Sequence, residues 1–140
     1  MRLKDKVALI TGGASGIGEG TAMRFAEEGA AVAVIDLNGE AANRVVEKIK
    51  AKGGKAIAIQ SDVIQVANIE RAVAETVKAF STIHILLAAA GMFKPSPIED
   101  TTEEFWDRCL DLDLRSVFFT IKAVTPIMKR QKYGKIITIR

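Results

Sequence analysis

The stretch Thr11-Gly12-Gly13-Ala14-Ser15-Gly16-Ile17-Gly18 follows directly on the apolar run Val7-Ala8-Leu9-Ile10. Four glycines and two hydroxyls within these eight residues leave the chain almost bare of side chains. The apolar run suits a strand buried on both faces. From Ser15 to Glu28, Ile17, Ala22, Phe25 and Ala26 recur at helical spacing, and Gly29 stands where a C-cap belongs. The glycines therefore sit between a strand and a helix start. A helix start presents backbone N–H groups without partners and the positive end of the macrodipole. Glycine lets an anion reach those groups, because no Cβ stands in the way. Gly12 can make the turn out of the strand, and Gly16 and Gly18 can let an anion and the helix come close.

The rest of the chain alternates in the same manner. Ala31 to Ile35 is a second buried-strand run, and Ala42, Val45, Val46 and Ile49 mark an amphipathic helix. Ala56 to Ile59 is a third strand. Val66, Ile69, Val73, Val77 and Phe80 mark a third helix, and Ile83 to Ala90 a fourth strand. Gly91 to Thr102, with Pro95 and Pro97, reads as a loop. A long helix is expected from about Thr102 to Arg130, with Phe105, Trp106, Cys109, Leu110, Val117, Phe118 and Ile121 as its apolar face and a kink expected at Pro126. Lys135 to Ile139 completes a fifth strand. Repeated strand–helix alternation with continuous apolar strands predicts an α/β, doubly wound parallel sheet, Rossmann-like, with helices on both faces. Residues 1–140 are expected to form one domain.

Two common nucleotide patterns do not fit the glycine turn. The ATPase-type loop needs Lys and then Ser or Thr after its last glycine. Gly13 to Gly18 has the spacing, but Glu19 follows, and its carboxylate would repel a triphosphate. In Gly-x-Gly-x-x-Gly the third place would fall on Thr21. What stands is Thr-Gly-x-x-x-Gly-x-Gly, from Thr11 to Gly18. Asp36, closing the second strand, lies about twenty residues beyond the glycines, where a carboxylate can accept from both ribose hydroxyls of an adenosine. Without the loop Asp36 would read as an ordinary solvated strand-end acid. With it, charge repulsion disfavours a 2′-phosphate, and neither Ser15 nor Leu37 supplies a base to hold one. NAD is expected in preference to NADP.

Composition excludes other classes. Lys plus Arg is 20 against 17 for Asp plus Glu, a net charge of +3. The basic residues are scattered, so no nucleic-acid partner is expected. Their one cluster, Lys129, Arg130, Lys132 and Lys135, suits a solvated helix end. Cys109 is the only cysteine and cannot form an internal disulfide or a cysteine metal cluster, so no metal site is expected. There is no run of 18 or more apolar residues to span a membrane. A cytoplasmic location is expected.

The sequence resembles the short-chain dehydrogenase/reductase family. "TGGASGIG" matches that family's cofactor loop, "SDVIQ" its segment after the third strand, "HILLAAAG" its fourth strand and "GKIITI" its fifth, from Lys6 to Ile139. The resemblance implies hydride transfer between a nicotinamide and an alcohol or carbonyl carbon. It implies cofactor contacts at Thr11, Gly12, Ser15, Gly16, Ile17, Gly18, Asp36, Leu37, Asp62, Val63, Ala89, Ala90 and Gly91. Asp62 would bind the adenine amino group, and Val63 would lie beside the ring. It further implies a catalytic Ser, a Tyr-x-x-x-Lys pair and an Asn on the long helix. The lysine is needed because a phenol near pKa 10 requires a nearby cation to serve at neutral pH.

The catalytic part of that pattern is not met. Tyr133 is the only tyrosine, and four residues on stands Ile137. The expected Ser would fall just after the fifth strand, and the Tyr and Lys on a later helix, so the chain reads as the cofactor half of a dehydrogenase, incomplete relative to the family. Asp113 occupies the place of the helix Asn and is the one catalytic candidate. Ala88-Ala89-Ala90-Gly91 replaces the usual Asn-Asn-Ala-Gly, which removes two bracing amides. Arg140 stands where a small residue is usual. His84, early on the fourth strand, is expected to be a partly buried strand residue rather than a base.

Three functions remain open at this point. The chain is an NAD-dependent oxidoreductase in incomplete form, inactive alone; or a non-enzymatic NAD-binding or assembly module; or a half-enzyme completed by a partner chain. A small alcohol or carbonyl substrate is expected only on completion. A homo-oligomer is expected through the long helix 102–130 and the open sheet edge.

Overall fold

The computed structural model describes residues 1–139; the expectation placed on Arg140 lies outside them. Five parallel strands, β1 (Val7–Thr11), β2 (Ala31–Asp36), β3 (Lys55–Gln60), β4 (Ile85–Ala88) and β5 (Lys135–Thr138), form one sheet in the order β3-β2-β1-β4-β5. The crossovers carry α1 (Gly16–Glu27), α2 (Gly39–Ala51), α3 (Val66–Phe80), α4 (Glu103–Leu110) and α5 (Ser116–Arg130). The chain builds outward from β1 through β2 to β3, then returns to the other side of β1 to lay down β4. The exits of β1 and β4 therefore diverge, and a crevice opens at their C-terminal ends.

Alternation along each strand divides the core into two layers. Ile10, Val32, Val34 and Leu87 pack with Ala22, Val45 and Ile49 of α1 and α2. Leu9, Ile35, Ile59 and Leu86 pack with Ile69 and Val73 of α3 and with Val124 and Met128 of α5. Both faces are covered, which is why the strands read as continuous apolar runs rather than alternating ones.

The expected long helix is not continuous. α4 ends at Leu110, five residues from Asp111 to Arg115 form a π-helical turn, and α5 follows. The wide turn re-aims the helix. The seam that α5 buries is Ser116, Thr120, Val124 and Met128. The Ser116 and Thr120 hydroxyls donate to carbonyls one turn back, at 2.5 and 2.7 Å, so small polar residues enter the interface satisfied. Of the expected packing face, Trp106, Leu110 and Phe118 are instead 58%, 41% and 61% exposed, and Leu114 joins them at 56%. Cys109 is half-buried. Strands four and five are shorter than expected, ending at Ala88 and Thr138, and α5 runs through Pro126. β5 is exposed along its length, with no further strand beside it among the described residues.

Candidate functional site

The crevice at the C-terminal ends of β1, β2, β3 and β4 encloses about 400 Å³. Its wall at the β1 exit is the glycine turn. Gly12, at φ 64°, packs so tightly on the β4 exit that a Cβ would lie 2.7 Å from Ala90 Cα. A Cβ on Gly18 would overlap the Gly12 carbonyl, so α1 can approach β1 this closely only through glycine. Gly16 differs: at φ 54° a Cβ would meet nothing within 4 Å. That open space faces the start of α1, where Ser15 takes the N-cap place and its side chain makes no capping bond. The cradle is suited to an anion.

Asp36 closes β2 beside the turn. Its Oδ2 accepts from the backbone nitrogen of Ala14 at 3.0 Å, and its Oδ1 from that of Asn38 at 3.0 Å. The carboxylate thus holds the glycine turn in place while keeping lone pairs toward the crevice. Asp62, after β3, accepts on Oδ1 from the backbone nitrogen of Ile64 at 3.1 Å. Ser61 N donates to Asp36 O at 2.9 Å, so the two acid-bearing exits are fastened together.

Gly12, Ser15, Gly16, Ile17, Gly18, Asp36, Leu37, Asp62, Val63, Ala89, Ala90 and Gly91 all line the crevice. Thr11 does not. It is buried beneath, and its Oγ1 accepts from Ala90 N at 3.3 Å, tying the β1 exit to the β4 exit. Ala89 N donates to Thr11 O at 3.2 Å, so backbone bonds brace the loop where amides are lacking. Asp113 stands apart from the lining, its Oδ1 accepting from Met92 N at 2.9 Å. Ser61, Ile64, Arg108, Leu112 and Ile139 also line the crevice and escaped the sequence reading. Leu112 and Arg108 lie one turn apart, on the side of the helix that the π-turn exposes to the crevice, which helical periodicity alone does not reveal.

The groups at the opposite end behave as structure. His84 is half-buried, and its Nδ1 accepts from Val7 N at 3.0 Å. Burial and then the Lys6 charge push its pKa below the ordinary 6.5. Tyr133 packs edge-on against His84 at 5.8 Å, with Lys6 over its ring at 4.5 Å. A second, larger concavity of about 610 Å³ opens there, between turns at the strands' N-terminal ends. It has neither the glycine turn nor the two strand-end carboxylates. No helix among the described residues is long and apolar enough to cross a membrane.

The model of the short-chain dehydrogenases matches residues 6–140. The chain belongs to the short-chain dehydrogenase family. It is 44% identical over 138 residues to the 2,5-dichloro-2,5-cyclohexadiene-1,4-diol dehydrogenase of Sphingobium indicum, covering 99% of this chain and 55% of that protein. It is 41% identical over 140 residues to galactitol 2-dehydrogenase of Agrobacterium fabrum, covering 99% and 54%. The 7α-hydroxysteroid dehydrogenase solved with NADH and 7-oxo glycochenodeoxycholic acid superposes with a TM-score of 0.95 at 35% identity, over 99% of this chain and 54% of that one. The chain thus spans about 55% of the relatives it matches. This family of oxidoreductases is NAD(P)-dependent.

Proposed function

We propose that the crevice binds NAD, in preference to NADP, and that the chain is the cofactor-binding part of an oxidoreductase acting on an alcohol or carbonyl substrate. The observation that carries this is the convergence of three features on one crevice: the open cradle at Gly16, the Asp36 carboxylate and the Asp62 carboxylate. The Gly12–Gly18 turn and the start of α1 would receive the diphosphate. Asp36 would accept from both hydroxyls of the adenine-side ribose and repel a 2′-phosphate. Asp62 would accept from the adenine amino group, with Val63 beside the ring. Ala89, Ala90 and Gly91 would form the floor, and Ile17 and Leu37 the rims. When bound, the nicotinamide supplies a hydride donor or acceptor.

Proton transfer is a separate requirement. These 140 residues hold no Tyr-x-x-x-Lys, and Tyr133 lies at the far end of the sheet, beside His84. Asp113 occupies the family's Asn place, but its carboxylate is engaged by Met92 N, so its role here is to brace the β4 exit. The chain alone is therefore expected to bind the dinucleotide without turning substrate over. The exposed Trp106, Leu110, Leu114 and Phe118 favour association with a second copy.

Calorimetry with NAD and NADP tests the binding claim: NAD should bind more tightly. Equal affinities would remove Asp36 from its role, and no binding of either would overturn the reading of the crevice. Assays pairing NAD with a panel of alcohols and NADH with a panel of ketones should stay at background. Robust turnover would show that the chain holds an acid/base group unlike the family's.

A further inference from the structure

We propose that Arg115 is a positioning residue for the adenine end of the crevice, an inference that rests on the reading of that crevice as a dinucleotide site. The π-helical turn Asp111–Arg115 is the origin of the arrangement. Such wide turns recur at functional sites. Residues two apart on a helical turn point to different sides. Here Asp113 reaches the β4 exit at Met92 N, and Arg115 reaches the β3 exit, where its Nη1 donates to Ile64 O at 2.8 Å across 51 residues of chain. One turn thus braces both walls of the crevice.

The Arg115 bond feeds directly into Asp62. Ile64 accepts from Arg115 on its carbonyl, and its own N–H donates to Asp62 Oδ1 at 3.1 Å. Fixing Ile64 therefore fixes the carboxylate. The inner side of the same loop is anchored independently: Ser61 N bonds Asp36 O at 2.9 Å, and Asn68 Nδ2 bonds Asp62 O at 3.2 Å. Gln65 N closes the loop on Asp62 O at 3.2 Å, and Arg115 adds an anchor at Ile64 from the π-turn. Its guanidinium is itself held, with Cζ 5.1 Å from the centroid of the Phe119 ring, within cation–π range. With Oδ1 committed to Ile64, the free Oδ2 of Asp62 is the oxygen left to accept from an exocyclic amine. Arg115 sets where that oxygen sits without touching the ligand.

The test reads discrimination at the purine rather than overall affinity. Hypoxanthine carries a carbonyl where adenine carries its amino group, so an Asp62 carboxylate in register should reject it. NADH and reduced nicotinamide hypoxanthine dinucleotide are titrated into the wild-type chain, R115M and R115K, each checked for cooperative melting. The wild type should prefer the adenine form. R115M keeps the stem over Phe119 but loses the donor, and should shrink that preference by up to about fivefold, the ceiling set by the one ordinary hydrogen bond removed. R115K, which can still donate to Ile64 O, should recover most of it. An unchanged preference in R115M, with wild-type discrimination intact, overturns the role of Arg115 alone. A wild type that binds NADH without discriminating overturns the role of Asp62 and this inference with it. A wild type that does not bind overturns the crevice reading and the inference together. Should R115M fail to fold, F119L decides on the same ratio. It leaves the donor but frees the guanidinium, so a smaller preference supports the role and an unchanged one overturns it.

Discussion

The Asp36 carboxylate lies 3.0 Å from the backbone nitrogen of Ala14, so the acid that ends the second strand also holds the glycine turn that follows the first. Its other oxygen accepts from Asn38 N. Asp36→Ala should therefore act twice. It should narrow the preference for NAD over NADP, and it should lower stability by about 1–3 kcal/mol, because two backbone donors lose an acceptor. Asp36→Asn keeps an acceptor oxygen and should recover stability more than selectivity. Calorimetry beside denaturant unfolding separates the two effects. If both variants keep the wild-type selectivity, the charge at this position is not what distinguishes the cofactors.

Two glycines of the turn should fail differently when given a Cβ. Gly18→Ala forces a methyl into the Gly12 carbonyl and should cost stability, about 1–3 kcal/mol, through backbone overpacking. Gly16→Ala meets open space. It should fold, at a strain cost of about 1–2 kcal/mol for its left-handed backbone, but bind the dinucleotide far more weakly, because the methyl enters the cradle. Melting curves and NAD titrations on the pair check this; a G16A variant that binds like wild type would empty the cradle of its assigned anion.

His84 should make stability sensitive to mild acid. Its pKa is lowered in the fold by burial and by Lys6, so the folded chain binds this proton less readily than the unfolded chain does. Stability is then fully present above the ordinary value of 6.5 and falls as pH drops below it toward the depressed folded value. Protonating Nδ1 would also set a donor against the Val7 N–H. Melting temperatures between pH 8 and pH 5 should decline in the wild type and flatten in His84→Gln. Glu28 acts in a separate window: its pKa is lowered, chiefly by the backbone N–H of Arg2, so its contribution is lost only as pH falls below 4.5. Parallel pH profiles for wild type and H84Q would remove the imidazole as the source.

The apolar stripe should mediate self-association. Trp106, Leu110, Leu114 and Phe118 lie exposed at successive intervals of four along α4, the π-turn and α5. Sedimentation velocity should show dimers or larger species for the wild type, and Phe118→Glu should shift them toward monomer without loss of helix content. A stable wild-type monomer at micromolar concentration would contradict the prediction.

Much of this protein is determined locally and was legible in the residues. The runs at Val7–Ile10 and Ala31–Ile35 are short, continuous and apolar, which suits strands covered on both faces, and Val66 to Phe80 carries a clear helical period. The glycine turn and the acid at Asp36 are separated by a distance that only a strand–helix–strand unit brings to one crevice. The tertiary structure alone decided the course of residues 102–130. Periodicity selects Trp106, Leu110 and Phe118 for the packing face, yet these stand exposed and the helix buries Ser116, Thr120, Val124 and Met128. The rotation comes with the π-turn, where Asp113 is bonded to Met92 across 21 residues and Arg115 to Ile64 across 51. A helical period fixes which residues share a face. Which face turns inward depends on the apolar surface that the sheet and α3 offer it, with the bonds to distant loops fixing the register, and both exist only once the sheet has formed.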